Sequence, residues 1–280
     1  MRAAVKRVAK TGARALARPP AQDGRRVILC YHSVNPSPSY LSLSPELFDA
    51  HLAWLERHAD VVSLGELVAS RGAQRPQVAI TFDDGYADNH ADALPLLTAR
   101  GMTATFFLTA GFLERDESVL AQLAETWHTP VDELAPLSWA QVEEMRAGGM
   151  TFGSHTWSHR NLAQIGEAEV ESELTRSRKV LEDRLAEPVS AVAYPWGKLR
   201  RHVTERTFAA AGQTGYRLGV FSLPRAVRDS DGPLRVPRFG VGSEPVESVA
   251  GKVRGEIDWH GAVHERMPGF LARALFPEDA

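Results

Sequence analysis

The chain has 280 residues, 44% of them apolar and 24% charged, with a formal net charge of −3. That is enough apolar material for one large α/β domain or two small ones. The slight negative charge argues against general nucleic-acid binding, and no stretch reaches the roughly 20 consecutive apolar residues of a membrane span.

Residues 1–22 form a basic leader. Arg2, Lys6, Arg7, Lys10, Arg14 and Arg18 precede the first acid, Asp23, and Pro19-Pro20 closes the segment. It lacks the apolar core of a secretory signal. Two readings stay open: a basic amphipathic helix making peripheral contact with an anionic membrane or partner, or a solvated tail. The expected location is the cytoplasm, at the inner membrane face if the leader binds lipid.

From residue 23 to 242 short apolar runs alternate with helical stretches. Strands are expected at 27–31, 60–62, 78–82, 103–108, 150–153, 189–194 and 216–221, with an eighth at 234–239. Cys30, the single cysteine, excludes an internal disulfide and reads as a buried strand residue rather than a reactive thiol. Ser44 before Pro45 starts one helix. Ser63-x-x-Glu66 and Ser138-x-x-Gln141 read as capping boxes, Gly148-Gly149 stops the latter helix, and 167–186 is a long charged helix. The acid-rich stretch 111–136 shows no clear period and reads as an insertion or lid-like excursion. Residues 243–280 read as a helical tail packing on the domain. Strand–helix alternation of this kind implies parallel strands with helices outside, in a barrel or a doubly wound sheet.

The chemistry concentrates in two motifs, Thr81-Phe82-Asp83-Asp84-Gly85 and Ser154-His155-Thr156-Trp157-Ser158-His159. Asp and His are ligands that a catalytic zinc-type ion accepts, and three protein ligands leave a coordination position open. Histidines four apart lie on one face of a helical turn and can converge. Adjacent aspartates point to opposite faces of a strand, but at a strand end that breaks into Gly85 both can reach one pocket. One would ligate and the other act as a base. Each motif alone is commonly a turn or a polar helix face; together they point to a metal hydrolase. His32, Asp83, Asp84, His155 and Trp196 all fall just beyond expected strands, where barrels assemble active sites.

These two motifs, with the leader Leu29-Cys30-Tyr31-His32-Ser33-Val34 and Ala193-Tyr194-Pro195-Trp196-Gly197, resemble the polysaccharide deacetylases, the carbohydrate esterase family 4 or NodB-homology group. The resemblance runs from about Arg26 to Gly242. It implies an irregular (β/α)7 barrel that removes acetyl groups from N-acetylated sugars. Asp83 would be the general base, and Asp84, His155 and His159 would hold a divalent ion, Zn2+ first, with Co2+, Mn2+ or Ni2+ as alternatives. Two departures stand out. Ala193 replaces the arginine that orients the base in many members, and no late leucine-x-histidine supplies a general acid. Both features resemble the exopolysaccharide poly-N-acetylglucosamine deacetylase branch, in which the barrel is circularly permuted and the acid histidine follows the first strand.

That makes His32 the expected acid, with a pKa near neutrality. Arg238 is the candidate to orient Asp83, against the commoner fate of a surface ion pair. Tyr194, Pro195 and Trp196 would supply substrate contacts, including the Trp196 backbone N–H as an oxyanion donor. Three rivals remain at this level: a catalytically lapsed glycan-binding protein, a hydrolase of a non-sugar amide on the same fold, and a two-histidine, one-carboxylate iron oxygenase.

Overall fold

In the computed structural model, which describes residues 24–37, 42–71 and 73–266, the apolar runs become the staves of a parallel barrel. The strands are β1 (Arg26–Tyr31), β2 (Ser33–Val34), β3 (Ser42–Leu43), β4 (Asp60–Val61), β5 (Gln77–Phe82), β6 (Thr105–Leu108), β7 (Thr151–Ser154), β8 (Ala191–Ala193), β9 (Leu218–Ser222) and β10 (Val236–Gly240). The order β1-β10-β9-β8-β7-β6-β5 is closed by a β1–β5 pairing that runs from Arg26↔Gln77 to Tyr31↔Phe82. These seven parallel strands make the (β/α)7 barrel. β4 adds outside, on the first residues of β5, and β2 and β3 form a separate small pair that the sequence reading missed.

Alternation along the strands sorts the apolar residues into two clusters. Ile28, Ala79, Phe107, Ala193, Val220 and Val236 pack with one another inside the barrel. Their neighbours Val27, Leu29, Val78, Ile80, Phe106 and Val192 face the surrounding helices. Such period-2 partition is what a strand buried on both faces requires. Gly153 belongs to the inner set by position, and its missing side chain makes room for Phe107, whose ring would lie 2.6 Å from an added Cβ.

The helix signals act where expected. Ser44 accepts from the Leu47 N–H to start the helix Pro45–His58, and Ser63 and Ser138 each complete a capping box. The long helix is Glu167–Leu185, ended by a left-handed Ala186.

The stretch read as an insertion or lid-like excursion carries ordered helices outside the barrel strands and packs on the loop after β7, where Gln122 Nε2 donates to the Ser158 carbonyl at 2.6 Å. Asp116 caps the helix Glu117–Trp127, which buries Val119 and Leu123. Beyond β10, the helices Val246–Arg254 and Asp258–Arg266 are tied back to β1. The Arg25 Nε donates to the Val253 carbonyl at 2.8 Å, and its guanidinium pairs with Asp258 at 3.0 Å. The leader 1–22 and residues 267–280 lie outside the described residues. Among the described residues no helix is long and apolar enough to cross a membrane.

Candidate active site

The strand alternation that fills the barrel also loads its mouth. On β1 the inward sequence Ile28, Cys30 continues to His32. On β5 the sequence Ala79, Thr81 continues to Asp83. β7 passes from Gly153 to His155, and β10 from Val236 to Arg238. Asp84 would face away were the strand to continue, but it adopts φ 72° and Gly85 φ 91°. The left-handed turn brings the second carboxylate round to the first. Thr156, His159 and Trp196 are also left-handed, at φ 67°, 58° and 62°. Backbone strain of this kind gathers at functional sites. His155 and His159 therefore converge through a bent loop after β7, not through the helical turn that their spacing suggests. Gly153-Ser154 still belong to the strand, and no apolar period follows to sustain a helix.

Asp84 Oδ1 lies 3.5 Å from His155 Nε2 and 3.4 Å from His159 Nε2, with the two rings 4.9 Å apart. These separations are too long for good hydrogen bonds. Asp84 Oδ1 is buried and has no hydrogen-bond partner, a state that costs about 1–3 kcal/mol for a neutral acceptor and more for a charged one. His155 Nδ1 donates to the Ala193 carbonyl at 2.8 Å, because a carbonyl can only accept. Its Nε2 therefore presents a lone pair to the site. Burial lowers both His155 and His159, keeping the imidazoles neutral. Burial, seconded by the Asp83 charge, pushes Asp84 up to about 8. Two neutral imidazoles and an uncompensated buried carboxylate oxygen, facing one point, fit a divalent first-row ion. The ligand atoms all lie within 4.8 Å of one another.

Asp83 is held differently. Arg238 Nη1 donates to its Oδ1 at 2.7 Å and Nη2 donates to its Oδ2, in a two-pronged pair. Arg238 is 3% exposed, so it is no surface ion pair. Its Nη1 also reaches Thr81 Oγ1 at 3.3 Å, and Thr81 in turn donates to the Leu29 carbonyl at 2.9 Å. Burial alone would raise Asp83, but the Arg238 guanidinium and His155 outweigh it and hold the carboxyl well below the usual carboxylate range. Ala193, which stands where many members carry the base-orienting arginine, packs in the inner core.

His32 is half-buried, with a ring nitrogen within 4.8 Å of an Asp83 oxygen and of Cys30 Sγ. Burial pushes it down to about 4 against the attraction of Asp83, below the near-neutral value expected of it. Trp196 is 45% exposed at the mouth, its ring 5.2 Å from His159. Pro195 is buried under a tight turn in which Gly197 N–H donates to its carbonyl at 2.6 Å.

Tyr194 is not brought to the mouth by its side chain. Its hydroxyl donates to the Leu234 carbonyl at 3.1 Å and its ring packs on Phe208, so only its backbone borders the site. Two neighbours escaped the sequence reading. Cys30 Sγ lies 3.5 Å from Asp83 Oδ2, and the Trp127 ring 5.9 Å from His159. The spacing Val119, Leu123, Trp127 behind Asp116 was the signal for the second.

The sequence profile of the family described as Polysaccharide deacetylase matches residues 70–219. YxkH of Bacillus subtilis strain 168, a protein assigned to the polysaccharide deacetylases, is 30% identical over 219 residues, covering 76% of this chain and 70% of its own. The poly-beta-1,6-N-acetyl-D-glucosamine N-deacetylase of Staphylococcus aureus strain MRSA252 is 24% identical over 221 residues, covering 74% and 70%. Among solved structures, IcaB from Ammonifex degensii superposes with TM-score 0.66 at 26% identity, covering 82% of this chain and 97% of its own. The Streptococcus pyogenes deacetylase PplD, in complex with acetate, superposes with TM-score 0.69 at 24% identity, covering 82% and 98%.

Proposed function

This chain belongs to the polysaccharide deacetylase family, and from that premise we propose that it is a divalent-metal-dependent hydrolase that removes an N-acetyl group from an N-acetylated glycan and releases acetate. One observation carries the metal dependence: the buried Asp84 Oδ1, without a hydrogen-bond partner, between His155 Nε2 and His159 Nε2. An ion held by these three residues would act as a Lewis acid on the acetyl carbonyl and make water a better nucleophile.

The protein's own groups divide the remaining work. Asp83, kept ionised and fixed in orientation by Arg238, takes a proton from the attacking water. His32 delivers a proton to the departing nitrogen, without which the amine is a poor leaving group. It is neutral at neutral pH in the free protein, so the proton it delivers is the one that Asp83 has removed from the attacking water. Trp196 offers its backbone N–H to the developing oxyanion and its exposed indole to a sugar face. The Arg238–Asp83 pair supports an active enzyme over a lapsed glycan-binding protein, because the base is present, ionised and held in a fixed orientation beside the candidate metal ligands. An iron oxygenase would leave Asp83 idle.

The test is acetate release from N-acetylated polymer, lipid-linked sugar and nucleotide sugar, with and without added zinc. Zinc-stimulated release from at least one of these supports the proposal. Binding of glycans with no acetate released from any of them would sink it.

A further inference from the structure

Asn89 is fully buried and opens a π-helical turn, Asn89–Ala93, five residues beyond Asp84. Such turns insert an extra residue into a helix and are frequent at functional sites. Its Nδ2 donates to the His32 backbone carbonyl at 2.9 Å and to Asp88 Oδ1 at 3.1 Å. Reversing the amide would set its oxygen against two acceptors, so the partners fix which way it points. The Oδ1 is then buried with no hydrogen-bond partner. A buried amide left half unsatisfied is unfavourable, so what favours this one in the fold is what its Nδ2 holds.

The preceding residue completes the grip. Ser33 Oγ donates to Asp88 Oδ2 at 2.5 Å, and Asn35 Nδ2 reaches the same oxygen at 3.4 Å and Ser33 Oγ at 3.0 Å. Asp88 and Asn89 therefore clasp the segment from His32 to Asn35. They belong to the same loop that carries Asp83 and Asp84.

We propose that Asn89, seconded by Asp88, is a positioning residue that fixes His32 against Asp83 and makes the two loops of the site one rigid body. The positioning does not depend on the role of His32, whereas its expected signature on substrates rests on reading His32 as the general acid.

The test uses the full chain loaded with zinc, an N-acetylglucosamine oligomer as amide substrate and an activated aryl acetate as ester. Asn89→Ala should keep its zinc and lose on the order of 10- to 100-fold in kcat on the amide. KM should move less, and the loss on the ester should be smaller. In a His32→Ala background, adding Asn89→Ala should change the residual activity by no more than about twofold, because the two residues act as a unit. Asn89→Asp, which keeps the volume but turns an acceptor toward the His32 carbonyl, carries the same comparison if the alanine variant does not fold. Losses that multiply in the double variant, wild-type rates in both Asn89 variants, or a parallel loss of zinc would each overturn the positioning role. Equal losses of His32→Ala on amide and ester would overturn the acid reading instead, and the double-variant comparison would still decide the role of Asn89.

Discussion

At the scale of single residues, the site rests on giving two adjacent aspartates different surroundings. Asp84 is desolvated and faces two imidazoles, while Asp83 is clamped by Arg238. Neutralising each should therefore have different consequences. Asp84→Asn should lower zinc affinity, whereas Asp83→Asn should keep zinc and abolish turnover; equilibrium dialysis and acetate release separate the two. If Asp83→Asn empties the site, the assignment is reversed.

Arg238→Ala should also keep zinc and reduce kcat, by on the order of 100-fold if orientation of the base supplies a typical share of general-base catalysis. It should destabilise the fold by about 3–5 kcal/mol, because it leaves a buried carboxylate without its partner. Unfolding by urea measures the second effect. A stable, fully active Arg238→Ala would show that the clamp has no catalytic purpose.

At the scale of elements, much of the barrel was legible in the sequence because β-branched and aromatic runs such as Val78–Phe82 end at residues that cannot extend a strand. The capping boxes at Ser63 and Ser138 were legible for the same local reason. Three features were not. The turn from His155 to His159 has helical spacing, yet its shape is set by left-handed Thr156 and His159, which no periodicity announces. The helix Glu117–Trp127 sits in an acid-rich stretch where its only periodic signal is Val119, Leu123 and Trp127 behind Asp116, too short a run to stand out from the charges around it. The β2–β3 pair is two residues long on each side, below the length at which alternation can be read. The clamp from Arg238 to Asp83 was legible as a candidate, but closing 155 positions of chain needed the β1–β10 and β1–β5 pairings.

Gly153 shows how tightly these elements fit. A Cβ there would lie 2.6 Å from the Phe107 ring and 3.1 Å from the Ala191 carbonyl. Gly153→Ala should cost about 1–3 kcal/mol by overpacking, read as a lower urea midpoint with unchanged slope. An unchanged midpoint would mean that β6 and β7 can separate freely.

For the whole molecule, burial lowers the pKa of His32, His51, His155, His159 and His202. In the unfolded chain each would titrate near 6.5. As pH falls below about 6.5 the unfolded chain binds protons at these five rings that the folded one does not, which lowers stability. Asp84, raised to about 8 in the fold, works the other way, but one carboxyl against five imidazoles leaves a net fall. The loss continues until the folded-state pKa values are passed, near 4 for His32 and His202. Zinc-free protein should therefore show a lower denaturant midpoint at pH 5.5 than at pH 7.5. A midpoint independent of pH across that window would mean that these rings are not held neutral in the fold.

The central claim is that Asp84, His155 and His159 hold the ion on which hydrolysis depends. Its most direct test is acetate release from an N-acetylated glycan by chelator-treated protein titrated with Zn2+. Activity should rise from background to a plateau at a single equivalent of zinc per chain, and the Asp84→Asn variant should show no such rise at the same zinc concentrations. Acetate release at full rate in the chelated protein, or an identical titration by the Asp84→Asn variant, would contradict the account.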